Sequence, residues 1–135
     1  MTSRDPKDLS VMIVEDESMI LMLVEDMLAD MGCTVAGVAS VEEDALTKIA
    51  TTRFDAAILD INLNGVRSER IAEKLRERRI PFVLSTGYGA SVDAPAFRGA
   101  PILAKPFQET DLRAALSAAI DADRINAAAP SALTP

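Results

Sequence analysis

Short aliphatic runs alternate along the chain with longer stretches whose apolar residues recur at helical spacing. Residues 9–14 form a run that stops at Glu15-Asp16-Glu17 and read as a first strand with an acidic end. Residues 18–31 are helical in pattern, apolar from Met19 through Val24 and again at Met27, Leu28 and Met31, more than the roughly 100° stripe that a core-facing helix requires. Gly32 fits a helix stop, and residues 34–38 a second strand. Ser40-Val41-Glu42-Glu43 has the spacing of a capping box and opens a second helix carrying Val41, Ala45, Leu46 and Ile49. A third strand, 56–61, brings Asp60 to its end, and Asn64-Gly65 marks a turn.

Residues 68–79 predict a surface helix, apolar at Ile71, Ala72 and Leu75. Residues 81–85 form a fourth strand ending in Thr86-Gly87-Tyr88-Gly89. Pro95 and Gly99 interrupt residues 90–100, so a fourth helix is expected to be short or irregular. A fifth strand, 101–104, breaks at Lys105-Pro106, and a last helix, 108–122, turns Leu112, Ala115, Leu116, Ala119 and Ile120 inward.

Five strands alternating with helices over short connections predict an α/β fold, a parallel sheet covered on both faces. Ligands of such sheets bind beyond the carboxyl ends of the strands. The residues delivered there are Glu15 and Asp16, Asp60, Thr86 and Lys105. At 135 residues the chain suits one domain, 9–122, with flexible extensions at 1–8 and 123–135.

Charge and composition narrow the chemistry. With 21 acidic and 14 basic residues the net charge is −7, which argues against nucleic acid or an anionic membrane as partner. The arginines of 67–79 are interleaved with Glu69, Glu73 and Glu77 and read as a solvated, ion-paired face. No apolar run reaches transmembrane length and no signal peptide is evident, so a soluble, cytoplasmic protein is expected. The single cysteine, Cys33, excludes an internal disulfide. The absence of histidine removes Ser-His and Cys-His catalysis, the common zinc sites, and any phosphohistidine on this chain.

Three carboxylates on one edge repel one another unless a cation sits among them, and an all-oxygen ligand set favours a hard ion such as Mg²⁺. Such an ion attracts phosphoryl oxygens, and a carboxylate beside it is a competent nucleophile. Phosphoryl transfer then needs in-line positioning and neutralisation of charge, for which an ammonium and a hydroxyl are suited.

Glu15-Asp16, Asp60 followed by Asn62-Leu63-Asn64-Gly65, Thr86-Gly87, and Lys105-Pro106-Phe107 together resemble the receiver domain of two-component response regulators. The resemblance covers about 9–122. It implies a flavodoxin-like (βα)5 doubly wound sheet of strand order 2-1-3-4-5. It also implies that Asp60 accepts a phosphoryl group from a partner histidine kinase, with Asp16, Asp60 and the Asn62 backbone carbonyl on Mg²⁺ and Glu15 acting largely through water. Lys105 would pair with the phosphoryl oxygens or with Asp60, and the Thr86 hydroxyl would swing toward them as a switch.

Two departures qualify the likeness. Ile102 stands where the family usually carries an aromatic switch, and Leu84-Ser85-Thr86-Gly87-Tyr88 is similar to a subgroup of stand-alone receivers with a Phe-Ala-Thr-Gly-like motif; Tyr88 then either takes over the switch role or simply packs over the site mouth. The output would be phosphorylation-dependent binding of a downstream protein, or a phosphate sink. Receivers resemble one another in offering the first helix to kinases, so Met19, Met22 and Met27 are candidate docking residues. An alternative is a Mg²⁺-dependent phosphatase with Asp60 as nucleophile, but the second acid that such enzymes carry is replaced by Asn62, whose amide cannot exchange a proton as an acid does. A third is a receiver fold that binds partners without phosphorylation, against which the complete set of Glu15, Asp16, Asp60, Thr86 and Lys105 argues.

Overall fold

The computed structural model describes residues 8–87 and 91–128, with the backbone alone for 124–128. In chain order the elements are β1 (Ser10–Val14), α1 (Ser18–Asp30), β2 (Thr34–Ala39), α2 (Glu42–Thr51), β3 (Ala56–Asp60), β4 (Asn62–Leu63), β5 (Val66–Arg67), α3 (Glu69–Glu77), β6 (Phe82–Thr86), a 3-10 turn (Pro95–Phe97), β7 (Ile102–Ala104) and α4 (Glu109–Ala128). Most of the two expected extensions and Tyr88, the expected aromatic switch, lie outside the described residues.

The main sheet is parallel, in the order β2-β1-β3-β6-β7. Because β4 and β5 pair only with each other, its five strands have the expected 2-1-3-4-5 order. The strands are apolar on both faces because both faces are covered. Met12, Val14, Leu59 and Leu84 pack with Ile49 of α2 and with Ile71 and Leu75 of α3. Their strand neighbours Val11, Ile13, Ile58 and Val83 point the other way, onto Val24 and Leu28 of α1 and Leu112 and Leu116 of α4. A residue on β1 or β3 therefore has no solvent face until the strand ends, and the order reverses between those two strands, so that Glu15 and Asp60 emerge at the switch point.

Some local details differ from the sequence pattern. The capping box at Ser40 does not form. Val41 is the N-cap of α2 with no side-chain cap bond, and Glu42, Glu43 and Asp44 in the first turn complement the helix dipole instead, Glu42 also pairing with Arg70 at 3.2 Å. The last helix runs on to Ala128, six residues past the expected end. Between β6 and β7 a single 3-10 turn among the described residues replaces a fourth flanking helix, as the proline and glycine there predict.

Asn64-Gly65 proves to be the centre of a two-residue hairpin. Leu63 pairs with Val66, and Asn64 (φ 50°) and Gly65 (φ 87°) both adopt left-handed backbone, as a type I′ turn demands. The hairpin follows Asp60 by one residue and shapes the mouth of the carboxyl edge.

Candidate functional site

Each charged side chain at the carboxyl edge is delivered by a rigid element. Val14, Leu59 and Leu84 are wholly buried, and Asp60, the last residue of β3, lies opposite Ser85 of β6. The strand end is fixed from below, where the buried Ser68 hydroxyl donates to the Asp60 carbonyl and the Ser68 amide donates to the Ile61 carbonyl at 2.8 Å. Glu15 follows β1 directly, its own amide bonded to the Ala39 carbonyl at 3.0 Å. Lys105 follows β7, held by its amide on the Thr86 carbonyl at 2.9 Å, with a cis peptide to Pro106.

These three side chains meet. The Lys105 ammonium lies 3.0 Å from Asp60 Oδ2, 3.0 Å from Glu15 Oε1 and 3.5 Å from Glu17 Oε1. Glu15, Asp16 and Asp60 each offer a carboxylate oxygen within 4.8 Å of the others. Burial, and then the hydrogen bond and charge of Asp60, push the Glu15 carboxyl from its ordinary 4.5 up to about 7, despite Lys105 and the Glu17 amide, which pull the other way. Lys105 is also raised: burial works against its charge, and the bonds to Asp60 and Glu15 outweigh it.

Asp16 is held differently. Its Oδ2 accepts the Asn64 amide of the hairpin turn at 2.8 Å, which joins the end of β1 to the loop after β3. Its Oδ1 is buried and has no hydrogen-bond partner among the described residues. An orphaned carboxylate oxygen beside two further carboxyl groups, with three such groups against one ammonium, is the arrangement a divalent hard cation completes, and the residues fit one.

The other residues expected at the site are more varied in their engagement. The Thr86 hydroxyl is buried at the same edge and donates to the neighbouring Gly87 carbonyl at 2.9 Å, turned onto its own backbone rather than toward Asp60. The Asn62 side chain is engaged locally, its Oδ1 accepting the Gly65 amide at 2.8 Å, while the Asn62 backbone N–H donates to Asp60 Oδ1 at 3.1 Å. Ile102 is half exposed on β7. On α1, Met19 and Met22 are exposed, at 77% and 62%, while Met27 is partly buried against the core.

Three contributors escaped the sequence. Glu17 joins the lysine cluster, Ser68 braces the end of β3, and the Ser85 hydroxyl is buried next to Asp60 with no partner among the described residues. Strand alternation predicts that residues 60 and 85 share a face once the register is known; nothing local predicts the register itself.

The comparisons agree with this fold. The response regulator receiver domain family matches residues 11–117. The regulatory protein VanR of Enterococcus faecium is 34% identical over 114 residues, which span 80% of this chain and 48% of that protein. The solution structure of SdrG from Sphingomonas melonis aligns with a TM-score of 0.75 at 36% identity, covering 87% of this chain and 99% of that one. The receiver domain of Erythrobacter litoralis PhyR aligns with a TM-score of 0.74 at 28% identity, covering 85% and 92%. Of the first curated relatives this chain spans a fifth to about half of the length.

Proposed function

The chain belongs to the response regulator receiver domain family, and on that premise we propose that Asp60 accepts a phosphoryl group from the phosphohistidine of a partner kinase in a Mg²⁺-dependent reaction. The observation that carries this reading is the Lys105 ammonium 3.0 Å from Asp60 Oδ2, with Glu15 and Asp16 alongside. Asp16, Asp60 and the Asn62 backbone carbonyl would hold the ion, Glu15 acting largely through water. When bound, Mg²⁺ neutralises charge on the phosphoryl oxygens and lets the carboxylates sit together.

Asp60 attacks phosphorus through a carboxylate oxygen. The new O–P bond forms as the P–N bond to the donor imidazole breaks, and the departing imidazole recovers its neutral form by taking up a proton. Lys105 exchanges its contact with Asp60 for the arriving phosphoryl oxygens. The Thr86 hydroxyl leaves the Gly87 carbonyl to bond the same oxygens, which pulls on the backbone after β6. That segment, anchored by a 3-10 turn in place of a helix, is the two-state element through which phosphorylation changes the surface. The output is binding of a downstream protein, or drainage of phosphate from a shared kinase.

Kinase contact is assigned to α1, where Met19 and Met22 give an adaptable apolar surface flanked by Met27 and by Leu23, itself 53% exposed. The phosphatase reading gains no support from Asn62, whose side chain caps the hairpin and offers no acid.

Phosphoramidate, a small donor with the same P–N bond, tests the proposal. With Mg²⁺ it should load one acid-stable, base-labile phosphoryl group, absent in Asp60→Asn and in excess chelator. Stoichiometric loading of Asp60→Asn would place the acceptor elsewhere, and sustained turnover of phosphomonoesters would restore the phosphatase.

A further inference from the structure

The opposite, amino edge of the sheet carries a basic cleft that phosphoryl transfer does not use. Its volume is about 390 Å³, and its walls include Arg76 and Arg79 from the end of α3, Arg98 from the loop before β7, and Asp123 of α4, with apolar lining from Ile80, Pro81 and Pro101. A second cavity of about 300 Å³ shares Arg79, Ile80, Pro81 and Asp123 and adds Arg78 and Asp55. Asp60 lines neither.

Two independent observations single out this cleft. The first is where unpaired positive charge collects. Among described residues with placed side chains, Lys48, Arg67, Arg70, Lys74, Lys105 and Arg113 all form ion pairs with carboxylates. The basic residues without a carboxylate partner there are Arg53, just before β3, the three arginines of the cleft, Arg76, Arg79 and Arg98, and Arg78 of the adjoining cavity. Arg76 and Arg78 spend donors on backbone carbonyls, Arg76 on Ala96 and Arg98, and Arg78 on Ala50. The guanidinium groups of Arg79 and Arg98 bond nothing among the described residues. In a chain of net charge −7, such a collection of unanswered cations is an electrostatic site.

The second observation is backbone geometry. Helices α1 and α3 end on the same motif. After α1, Gly32 donates to Ala29 at 3.1 Å and Cys33 to Leu28 at 2.9 Å; after α3, Arg79 donates to Arg76 at 3.0 Å and Ile80 to Leu75 at 2.9 Å. This is the Schellman pattern, whose pivotal residue is left-handed and for which glycine is the default. Gly32 has φ 82° and Arg79 has φ 58°. The chain therefore keeps a long cationic side chain where glycine costs least, and that side chain lines the cleft instead of bonding the fold.

We propose that this amino-edge cleft binds a phosphate-bearing small molecule of about nucleotide size, its phosphates on Arg79 and Arg98. Guanidinium groups present paired donors matched to phosphate oxygens. The volume lies within the range of small-ligand sites, and Ile80, Pro81, Ala100 and Pro101 give apolar lining to the body of such a ligand, the Phe82 ring being buried beneath the Arg76 guanidinium. Asp123 on the wall would repel a purely anionic ligand, and so favours one that also carries a hydrogen-bond donor, such as the exocyclic amine of a nucleobase.

The test is amide chemical-shift titration of the full chain with ADP in the absence of Mg²⁺, with inorganic phosphate and adenosine as separate arms. Shifts should centre on 76–82, 98–101 and 119–123, and ADP should bind more tightly than either fragment. Arg79→Gly should keep or raise the melting temperature while weakening ADP at least about tenfold, and Arg98→Ala should weaken it without unfolding the chain. Asp60→Asn should bind ADP as the parent does, which separates this site from the phosphoacceptor. Unchanged ADP binding in both arginine variants would overturn the proposal. So would inorganic phosphate binding as tightly as ADP, or a hexaglutamate peptide binding better, which would make the cleft a docking site for acidic protein segments.

Discussion

At the carboxyl edge of the sheet one buried ammonium is shared among Glu15, Asp60 and the outer Glu17, whereas at the amino edge four arginines line two adjoining cavities and none has a carboxylate partner among the described residues. Both edges concentrate charge, but in the first it is desolvated and mutually compensated, so each group is structural as well as chemical. In the second it is exposed and has no carboxylate to answer it: Arg76 and Arg78 still bond backbone carbonyls, but the Arg79 and Arg98 side chains bond nothing among the described residues and are free of structural duty. Removal of a charge should therefore have opposite consequences at the two ends.

The largest effect is expected from Lys105→Met. It leaves Glu15 and Asp60 buried side by side with no internal cation, and breaking a buried pair in this way costs about 3 kcal/mol. Urea denaturation in chelator should register that loss near neutral pH, with partial recovery when Mg²⁺ is added. Phosphoramidate loading should fall by roughly 10²-fold or more, the usual penalty for losing a preorganised group on developing charge. A variant as stable as the parent in chelator would show that the carboxyl edge is no more interdependent than the amino edge.

A smaller effect is expected from pH. Glu15 is raised from 4.5 to about 7 in the folded chain by burial and by Asp60, so folding favours its protonated form. That contribution to stability is fully present below about pH 4.5 and is lost as pH rises through about 7. Lys105, also raised, keeps its contribution across this window and loses it only above its ordinary 10.5. In chelator the urea midpoint should decline between about pH 5 and about pH 8. Mg²⁺ binds the ionised carboxylates and should flatten or reverse the slope. A midpoint that rises with pH in chelator would mean that Glu15 is ionised throughout and that the edge is compensated without metal.

The elements behind the carboxyl edge were legible because their signals are local. Aliphatic runs that end on Asp60 or on Glu15 identify a buried strand and its mouth without any tertiary information, and helix periodicity supplies the covering layers. What could not be read depends on contacts distant in sequence or on a choice of rotamer. The Asn64 amide on Asp16 spans 48 residues, the Ser68 hydroxyl on Asp60 needs the hairpin to fold back, and the Thr86 hydroxyl selects the Gly87 carbonyl among several acceptors. Only the turn of the hairpin was read, at Asn64-Gly65; the pairing of Leu63 with Val66 across it was not. The amino-edge cleft was hidden by its own sequence context. Interleaved glutamates make residues 67–79 look self-neutralised, yet Glu69, Glu73 and Glu77 lie outside the cleft lining, and Arg76 and Arg79 reach the strand edge past them.

The smallest effect has the opposite sign. Arg79 occupies left-handed backbone at φ 58° and its guanidinium bonds nothing among the described residues, so Arg79→Gly relieves steric cost without breaking a contact. The Schellman bonds from residues 79 and 80 use backbone amides and survive the substitution. Gly32 serves as the internal control, because it already carries the same bonds with no side chain, and Gly32→Arg should destabilise where Arg79→Gly stabilises. The expected gain is ~0.5–1 kcal/mol, the balance of relieved strain against the added freedom of glycine in the unfolded chain. Measured as a shift in urea midpoint, a gain at residue 79 beside a loss at Lys105 would show that charge at one edge holds the fold together while charge at the other is kept at a small cost to it. A loss of comparable size at both would mean that Arg79 is structural after all, and that its left-handed backbone is stabilised by its side chain.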